Sequence, residues 1–297
     1  MKKKIIIVTK HFIHLGHEIH ILRIILLDLY CKKIVSNEDI IIIDTKDRLF
    51  LYDKIFNNII FFDEYDKMDK SNYEIIDISP YFTTMNHDTI LELKKFNYDI
   101  ATSKYKTNKF IEICQRINYF NINEIKQLFE FPFIDKEKFI IIHHRYDCDI
   151  NYLIIILESI YKLTTKYKII IFNNNPNDLK SKLSYNNVFV INNLRLYASL
   201  LNLMNCILVI GEWSGGSQLS QYCCHCDILY YYNFYGHTIP YYNNLFNINV
   251  TSHDELLSIS NNSITMIYDY KICSDCKFFF YDDIYTLCNN ITKHLKI

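Results

Sequence analysis

The amino-acid sequence predicts an α/β protein built on two parallel β-sheets. Two observations predict this class: short continuous runs of apolar residues, and amphipathic stretches of helical periodicity between them. Continuous apolar strands are typical of parallel sheets that helices cover on both faces. The alternation is interrupted once, by a charged connector that contains Pro132. We therefore expect two doubly wound domains, over residues 1–132 and 133–297.

The first domain is predicted to alternate strands and helices. Its predicted strands cover residues 5–8, 40–43, 59–62 and 74–78, and its predicted helices cover residues 17–33, 47–56, 88–96 and 109–119. The helix over 17–33 is indicated by apolar residues at helical spacing, namely Ile21, Ile24, Ile25 and Leu29.

The second domain is predicted to repeat this alternation. Its predicted strands cover residues 139–142, 168–172, 188–191, 207–210 and 228–231. Its predicted helices cover 151–163, a stretch with Tyr197, Leu200, Leu201 and Met204 on one face, and a stretch with Leu219, Tyr222, Cys223 and Cys226 at helical spacing. Ser252 and Glu255 form a capping-box pattern, and an apolar stripe over 284–295 predicts a closing helix. Packing of this last helix on the first domain is left open.

Composition and charge argue against several classes of function. The 297 residues are 50% hydrophobic and carry a formal net charge of −1, so we expect a packed core and no partner among nucleic acids. The apolar run after Lys4 is too short for a signal peptide, and no transmembrane segment is indicated. We therefore expect a cytoplasmic protein. The excess of Ile, Asn, Lys and Tyr is typical of an AT-rich genome.

The ten cysteines leave two interpretations open. They are too sparse for a small disulfide scaffold, which favours reduced thiols in the core. Cys223-x2-Cys226 and Cys273-x2-Cys276 nevertheless imitate a four-thiolate zinc site. Because the first pair falls on the apolar face of a predicted helix and the pairs lie far apart, the sequence favours buried thiols and no metal.

The most informative motif is a glycine turn, residues 211–219, that follows a predicted strand. Three of the five glycines in the chain lie there, beside its single tryptophan. Glycines let a ligand approach the backbone, and Ser214 is placed to cap the helix that follows. Free N–H groups at a helix start favour an anion, most often a phosphate. The alternative is a tight turn whose glycines only relieve strain.

Two further polar loops follow predicted strands, where ligands bind in open parallel sheets. After the first strand, His17 and Glu18 are candidates for a general base, or alternatively surface residues at a helix start. After the first strand of the second domain, Arg145 offers a permanently charged group suited to phosphate, with His143 beside it. Asp147 either orients Arg145 or forms a surface pair with it.

Several signatures are missing from the sequence. It has no Gly-x-x-x-x-Gly-Lys-Ser/Thr loop and no Gly-x-Gly-x-x-Gly after a strand, so P-loop chemistry and a standard dinucleotide site are unsupported. The stretch from Gly211 to Gly215 comes within one residue of a hydrolase elbow. The elbow motif is Gly-x-Ser-x-Gly, whereas two residues instead of one separate Gly211 from Ser214 here. Ser214 is therefore off the position of the nucleophile, which argues against a serine hydrolase.

The stretch over residues 194–219 resembles the donor half of heptosyltransferase-like enzymes, which are GT-B-type glycosyltransferases. In those enzymes a leucine-rich helix and a short strand precede an acidic turn and Thr/Ser-Gly-x-x-His-Leu. This chain has Ser214-Gly215-x-x-Gln218-Leu219, with Gln218 in place of the usual histidine and Trp213 where an aspartate is common. A weaker similarity to fucosyltransferases rests on His143-x-Arg145-x-Asp147, one residue shorter than their His-x-Arg-Arg-x-Asp.

The resemblance implies two Rossmann-like domains facing across a cleft, the second binding a nucleotide sugar and the first a glycan or other hydroxyl acceptor. The implied reaction is sugar transfer, with no metal and no cofactor besides the nucleotide-sugar co-substrate. His17 or Glu18 would deprotonate the acceptor. The residues implied in phosphate binding are Arg145, Ser214, Gly215, Gly216 and Ser217, and those implied in binding the sugar or nucleoside are Glu212, Trp213, Gln218 and His143.

Three alternative functions stay open at this point. The chain could be a catalytically inactive GT-B-like protein that binds a glycan, a nucleotide or a protein partner. It could be a nucleotide-sugar epimerase on the same fold. A zinc-stabilised interaction module is the third, and metal content decides it.

Overall fold

A computed structural model describes residues 3–9, 15, 18–78, 112–145, 149–173, 175–176, 179, 183, 185–212, 216–231, 278–281 and 283–295. Its contacts divide the chain into two compact units, with the division between Tyr119 and Phe120. The charged connector packs inside the second unit, because the ring of Phe133 lies 4.7 Å from that of Phe189.

The first unit is built on a parallel four-stranded sheet. Its strands are β1 (Lys3–Ile7), β2 (Ile40–Ile43), β3 (Asn58–Phe61) and β4 (Tyr73–Asp77), in the order β3-β2-β1-β4. Each coincides with a predicted strand to within one or two residues. Isoleucines form most of these strands and are buried on β1 and β2, as expected for a sheet covered on both faces.

The helices of the first unit are shorter than predicted. A wide helical turn over Glu18–Leu22 leads into α1 (Arg23–Cys31). The predicted helix over 47–56 is a tight helical turn over Lys46–Leu51, and a short α2 (Phe62–Tyr65) follows β3. At the end of the tight turn the Tyr52 N–H bonds the Leu49 carbonyl at 3.0 Å, an i to i+3 bond of the kind found in tight helical turns. The predicted helix over 88–96 lies outside the described residues.

The second unit is built on a parallel six-stranded sheet. Its strands are β5 (Phe139–His143), β6 (Lys168–Phe172), β7 (Val188–Ile191), β8 (Cys206–Glu212), β9 (Asp227–Tyr231) and β10 (Phe278–Tyr281). Their order is β10-β9-β8-β5-β6-β7, which is the Rossmann order when the strands are counted within the unit. The order reverses between β5 and β8, and we call this place the switch point.

The helices of the second unit cover the sheet, and several of them begin at side-chain caps. They are α3 (Ile122–Phe129), α4 (Ile150–Leu163), α5 (Leu194–Leu201), α6 (Ser220–Cys223) and α7 (Ile284–Leu295). Asn121, Asp149 and Asn193 accept backbone N–H groups in the first turns of α3, α4 and α5. The closing helix α7 packs against α4 and β9. No helix in the described part of the chain has the length and apolar character needed to cross a membrane.

Two predicted helical faces are wrong at their ends. Met204 lies beyond α5 and is 77% exposed. The helix of the glycine turn consists of a tight turn over Ser217–Leu219 and α6, and it ends at Cys223 because Cys224 is extended, with φ −89° and ψ 148°. Cys226 therefore belongs to the segment that enters β9.

Candidate functional site

The switch point brings two of the predicted polar loops together. Strands β5 and β8 pair in parallel, with His143 opposite Gly211. Their carboxyl ends therefore meet at one edge of the sheet, where open α/β sheets bind ligands. Arg145 follows β5 and Glu212 ends β8, so residues that are far apart in the chain face the same crevice.

His143 is buried at this edge as a neutral aromatic platform. Its ring stacks on Phe172 with centroids 5.3 Å apart and an interplanar angle of 20°, and it also contacts Tyr197. Burial, with help from nearby His144 and Arg145, lowers the pKa of His143 to about 3. The imidazole is therefore uncharged near neutral pH, and no hydrogen-bond partner for its buried Nδ1 lies among the described residues.

The glycine turn packs directly on this platform. A Cβ atom added to Gly216 would lie 2.8 Å from Nε2 of His143 and closer still to Cε1. A Cβ added to Gly211 would lie 3.1 Å from Cβ of Ser217 and 3.2 Å from Cβ of His143. Both glycines are thus needed for close packing of the backbone, a role nearer to the structural alternative than to ligand approach.

Ser217 closes the turn from within. Its hydroxyl donates to the Glu212 carbonyl at 2.5 Å, and its own carbonyl accepts from Ser220 Oγ at 2.5 Å. Ser217 and Ser220 are fully buried. The Ser217 side chain therefore joins the two ends of the turn, a contact that sequence reasoning missed.

An ion pair stands at the mouth of the crevice. Arg145 Nε lies 3.1 Å from Glu212 Oε1, and the Glu212 side chain is 2% exposed whereas that of Arg145 is 38% exposed. The ion pair thus joins a buried carboxylate to an arginine side chain that is partly exposed. The sequence names Asp147 as the partner of Arg145, and Asp147 lies outside the described residues. The adjacency of the ends of β5 and β8 is the signal that identifies Glu212.

Part of the predicted site lies outside the described residues. This holds for Trp213, Ser214, Gly215, the side chain of Gln218 and, in the first unit, His17. The glycine turn is therefore described at its two ends, at Glu212 and from Gly216 onwards. Predictions for these residues stay predictions.

Glu18 lies inside the first unit and is fully buried. Tyr52 donates its hydroxyl to Glu18 Oε1 at 2.8 Å, and Arg48 forms a short ion pair with Glu18 Oε2. Burial raises the pKa of Glu18, while Arg48 and Tyr52 oppose the shift. Both carboxylate oxygens are engaged by partners of the same unit, and neither partner was predicted from the sequence.

A cavity of about 480 Å³ lies along the edge strand β7. Aromatic and aliphatic side chains dominate its lining, among them Phe131, Tyr185, Phe189 and Leu196. None of the predicted site residues that the structure describes lines it, so the cavity and the switch point are separate features of the described part of the second unit.

No family model and no curated protein matches the sequence. Among solved structures, E. coli ADP-heptose lps heptosyltransferase II matches with a TM-score of 0.51 and 8% identity, over 99% of this chain and 97% of that chain. E. coli heptosyltransferase WaaC with ADP-2-deoxy-2-fluoro heptose matches with a TM-score of 0.50 and 10% identity, over 99% of each chain. The dodecameric iron-containing heptosyltransferase TibC in complex with ADP-D-beta-D-heptose matches with a TM-score of 0.52 and 12% identity, over 100% of this chain and 78% of that chain.

At such low identities the likeness shows the fold. The predicted α/β class with two parallel sheets is confirmed by the strand order of both units. The predicted resemblance to heptosyltransferases is confirmed at the same level, since structures of these enzymes align with almost the whole chain. The chain thus has the fold of GT-B-type glycosyltransferases.

Proposed function

We propose that the chain is a glycosyltransferase that moves a sugar from a nucleotide-activated donor to a hydroxyl acceptor. The observation that carries the proposal is the partly exposed side chain of Arg145, ion-paired with buried Glu212 at the switch point of a Rossmann-ordered sheet. This is the edge where nucleotides bind in such sheets. The three matched heptosyltransferases, all named with ADP-heptose or its analogue, support a nucleotide-sugar donor.

Arg145 would stabilise the charge that develops on the leaving diphosphate. Its positive charge is permanent, and the ion pair with Glu212 restricts its orientation before the donor arrives. Backbone groups of Ser214, Gly215, Gly216 and Ser217 would complete the phosphate site. With Arg145 supplying positive charge here, the proposed transfer step uses no metal.

The remaining predicted donor residues would either position other groups of the site or contact the donor directly. His143 would support the glycine turn from below, because Gly216 rests on its ring. Glu212 would orient Arg145. It would also contact the hydroxyl groups of the ribose or the sugar. Trp213 and Gln218 would contact the nucleoside or the sugar.

We assign deprotonation of the acceptor to His17. An imidazole titrates near neutral pH and suits this role. Glu18, the second predicted base, has both oxygens bound to Arg48 and Tyr52. In this proposal Glu18 anchors the segment that carries His17.

The proposal is tested by calorimetric titration with nucleoside diphosphates and nucleotide sugars. A thermal-shift screen first identifies which nucleobase the protein prefers in the donor. Arg145→Gln is expected to weaken diphosphate binding by at least about tenfold, or about 1.4 kcal/mol. The melting temperature without ligand is measured alongside, because the substitution also removes the ion-pair partner of buried Glu212. Arg116→Gln is the matched control, because Arg116 also forms an ion pair at the protein surface. Equal affinities of wild type and Arg145→Gln would contradict the proposed site.

A nucleotide-sugar-binding protein without transfer activity is the second candidate. The replacement of the usual histidine by Gln218, and of the common aspartate by Trp213, favours it. Incubation with the donor identified by calorimetry separates the two functions. Slow release of free sugar, or transfer to an added glycan, supports the transferase, whereas an unchanged donor after long incubation supports the binding protein.

A further inference from the structure

Three cysteine sulfurs converge at the amino-terminal edge of the second sheet. Cys206 begins β8, Cys224 follows α6 and Cys226 precedes β9. All three Sγ atoms lie within 4.8 Å of one another, with Cys224 and Cys226 at 3.1 Å and Cys206 and Cys226 at 3.9 Å. The parallel register of β8 and β9, which sets Leu208 opposite Asp227, brings the starts of the two strands together.

These separations are close to those that a single metal ion imposes. Tetrahedral coordination with metal–sulfur bonds of about 2.3 Å places neighbouring sulfurs about 3.8 Å apart. The pair of Cys206 and Cys226 has this spacing within 0.1 Å, at 3.9 Å. Small adjustments of one side chain would bring Cys224 to the same distance.

The surroundings suit thiolates. The backbone N–H of Cys226 donates to Cys224 Sγ at 3.4 Å, and such N–H···S bonds stabilise the negative charge of coordinating sulfur. Cys206 and Cys224 are buried, and Cys226 is partly exposed, which leaves a route for an ion from solvent.

We propose that Cys206, Cys224 and Cys226 bind one thiolate-preferring divalent metal ion, Zn²⁺ or Fe²⁺. Each thiol loses its proton to solvent on binding, water completes the coordination, and no oxidation or reduction takes place. The ion would join the start of β8, the end of α6 and the start of β9. This site lies at the opposite edge of the sheet from the switch point and does not depend on the proposed transferase activity.

The ligand set differs from the four-thiolate pattern in the sequence. Cys223, which that pattern includes, is buried on α6 and is not one of the three converging sulfurs. Cys273 and Cys276 lie outside the described residues. Cys223 is therefore a matched control, because it neighbours Cys224 and is also buried, while its sulfur is not part of the cluster.

The test measures metal in the full chain, purified under reducing conditions, by inductively coupled plasma mass spectrometry. We expect one zinc or iron ion per chain, and the element detected distinguishes the two. Cys224→Ala and Cys226→Ser should lose it, whereas Cys223→Ala should retain it. Co²⁺ added to the demetallated chain should produce thiolate-to-cobalt charge-transfer absorption in wild type and Cys223→Ala, with the signal lost in Cys226→Ser.

Three results would overturn the proposal. The first is wild-type protein without metal that gives no charge-transfer band with Co²⁺. The second is a thiol titration of the denatured, unreduced chain that finds eight rather than all ten thiols, with the missing pair traced to Cys224 and Cys226 as a disulfide. The third is loss of metal in Cys223→Ala to the same extent as in Cys226→Ser. Circular dichroism of Cys226→Ser, which changes one partly exposed atom, establishes that lost metal does not reflect an unfolded chain.

Discussion

The two units share a strand order and differ in where they keep their charges. The first sheet runs β3-β2-β1-β4, and β7-β6-β5-β8 of the second sheet repeats that order. After β1 the first unit buries Glu18 and Arg23, whereas the end of β5 in the second unit buries the neutral imidazole of His143 and is followed by the partly exposed Arg145. Charges engaged inside a fold hold segments together, and an accessible charge held by a buried partner can meet a ligand.

Arg23 shows how fully the first unit uses its buried charge. The side chain is completely buried, and its guanidinium donates to the carbonyls of Leu51, Cys114 and Arg116 at 3.0, 2.8 and 3.3 Å. One side chain on α1 thus ties together two segments that are distant in the chain. The arrangement leaves no part of Arg23 for a ligand.

The largest change in the free energy of unfolding is expected from Arg23→Met in the first unit. The substitution leaves three carbonyl groups without their guanidinium donors, and each buried group left unsatisfied costs about 1–3 kcal/mol, so we expect a loss of at least about 3 kcal/mol. Urea denaturation followed by circular dichroism measures the free energy of unfolding. Arg116→Met, at a side chain that is 47% exposed, should change it by less than about 0.5 kcal/mol. Similar losses of unfolding free energy in the two variants would show that Arg23 does not hold the distant segments together.

A smaller effect is expected from Gly216→Ala in the second unit. The new methyl group would overlap the His143 ring, which Phe172 and Tyr197 hold in place, so the free energy of unfolding should fall by about 1–3 kcal/mol. Gly211→Ala, with contacts of 3.1 Å and 3.2 Å, should cost less. The loss for Gly216→Ala should shrink in a His143→Ala background, and equal losses in both backgrounds would refute the packing role of the glycine.

The pH dependence of stability also distinguishes the two units. His143 has a folded-state pKa of about 3, below the ordinary value of 6.5, so between these values the unfolded chain binds a proton that the folded chain does not. The contribution of His143 to the free energy of unfolding therefore falls on acidification through this range, by at most about 1.4 kcal/mol per pH unit. Denaturation of His143→Gln at several pH values should show a shallower fall than in wild type.

Glu18 provides the opposite sign. Its pKa is raised from the ordinary value of 4.5, so just above that value the folded chain binds the proton more readily than the unfolded chain does. Its contribution to stability therefore decreases as the pH rises through this window. Glu18→Gln should steepen the fall on acidification, and a change of slope in the same direction for Glu18→Gln and His143→Gln would contradict the assigned shifts.

The strands were the most predictable part of the fold. The strands over 40–43, 168–172 and 188–191 have the predicted bounds, because a buried parallel strand must be apolar on both faces. Helix ends were less predictable. Cys226 was placed on an apolar helix because its spacing fits a helix, while the extended backbone at Cys224 ends that helix early. Spacing alone does not reveal where a helix stops.

The sequence by itself determined the class of the fold, the two βα series and the loops in which polar residues follow strands. These depend on local periodicity, which is written along the chain. Only the tertiary structure decided which of those residues meet. The pairing of Arg145 with Glu212, the packing of Gly216 on His143 and the convergence of Cys206 with Cys226 all require the strand order β9-β8-β5. Strand order depends on contacts between distant segments, which local patterns do not specify.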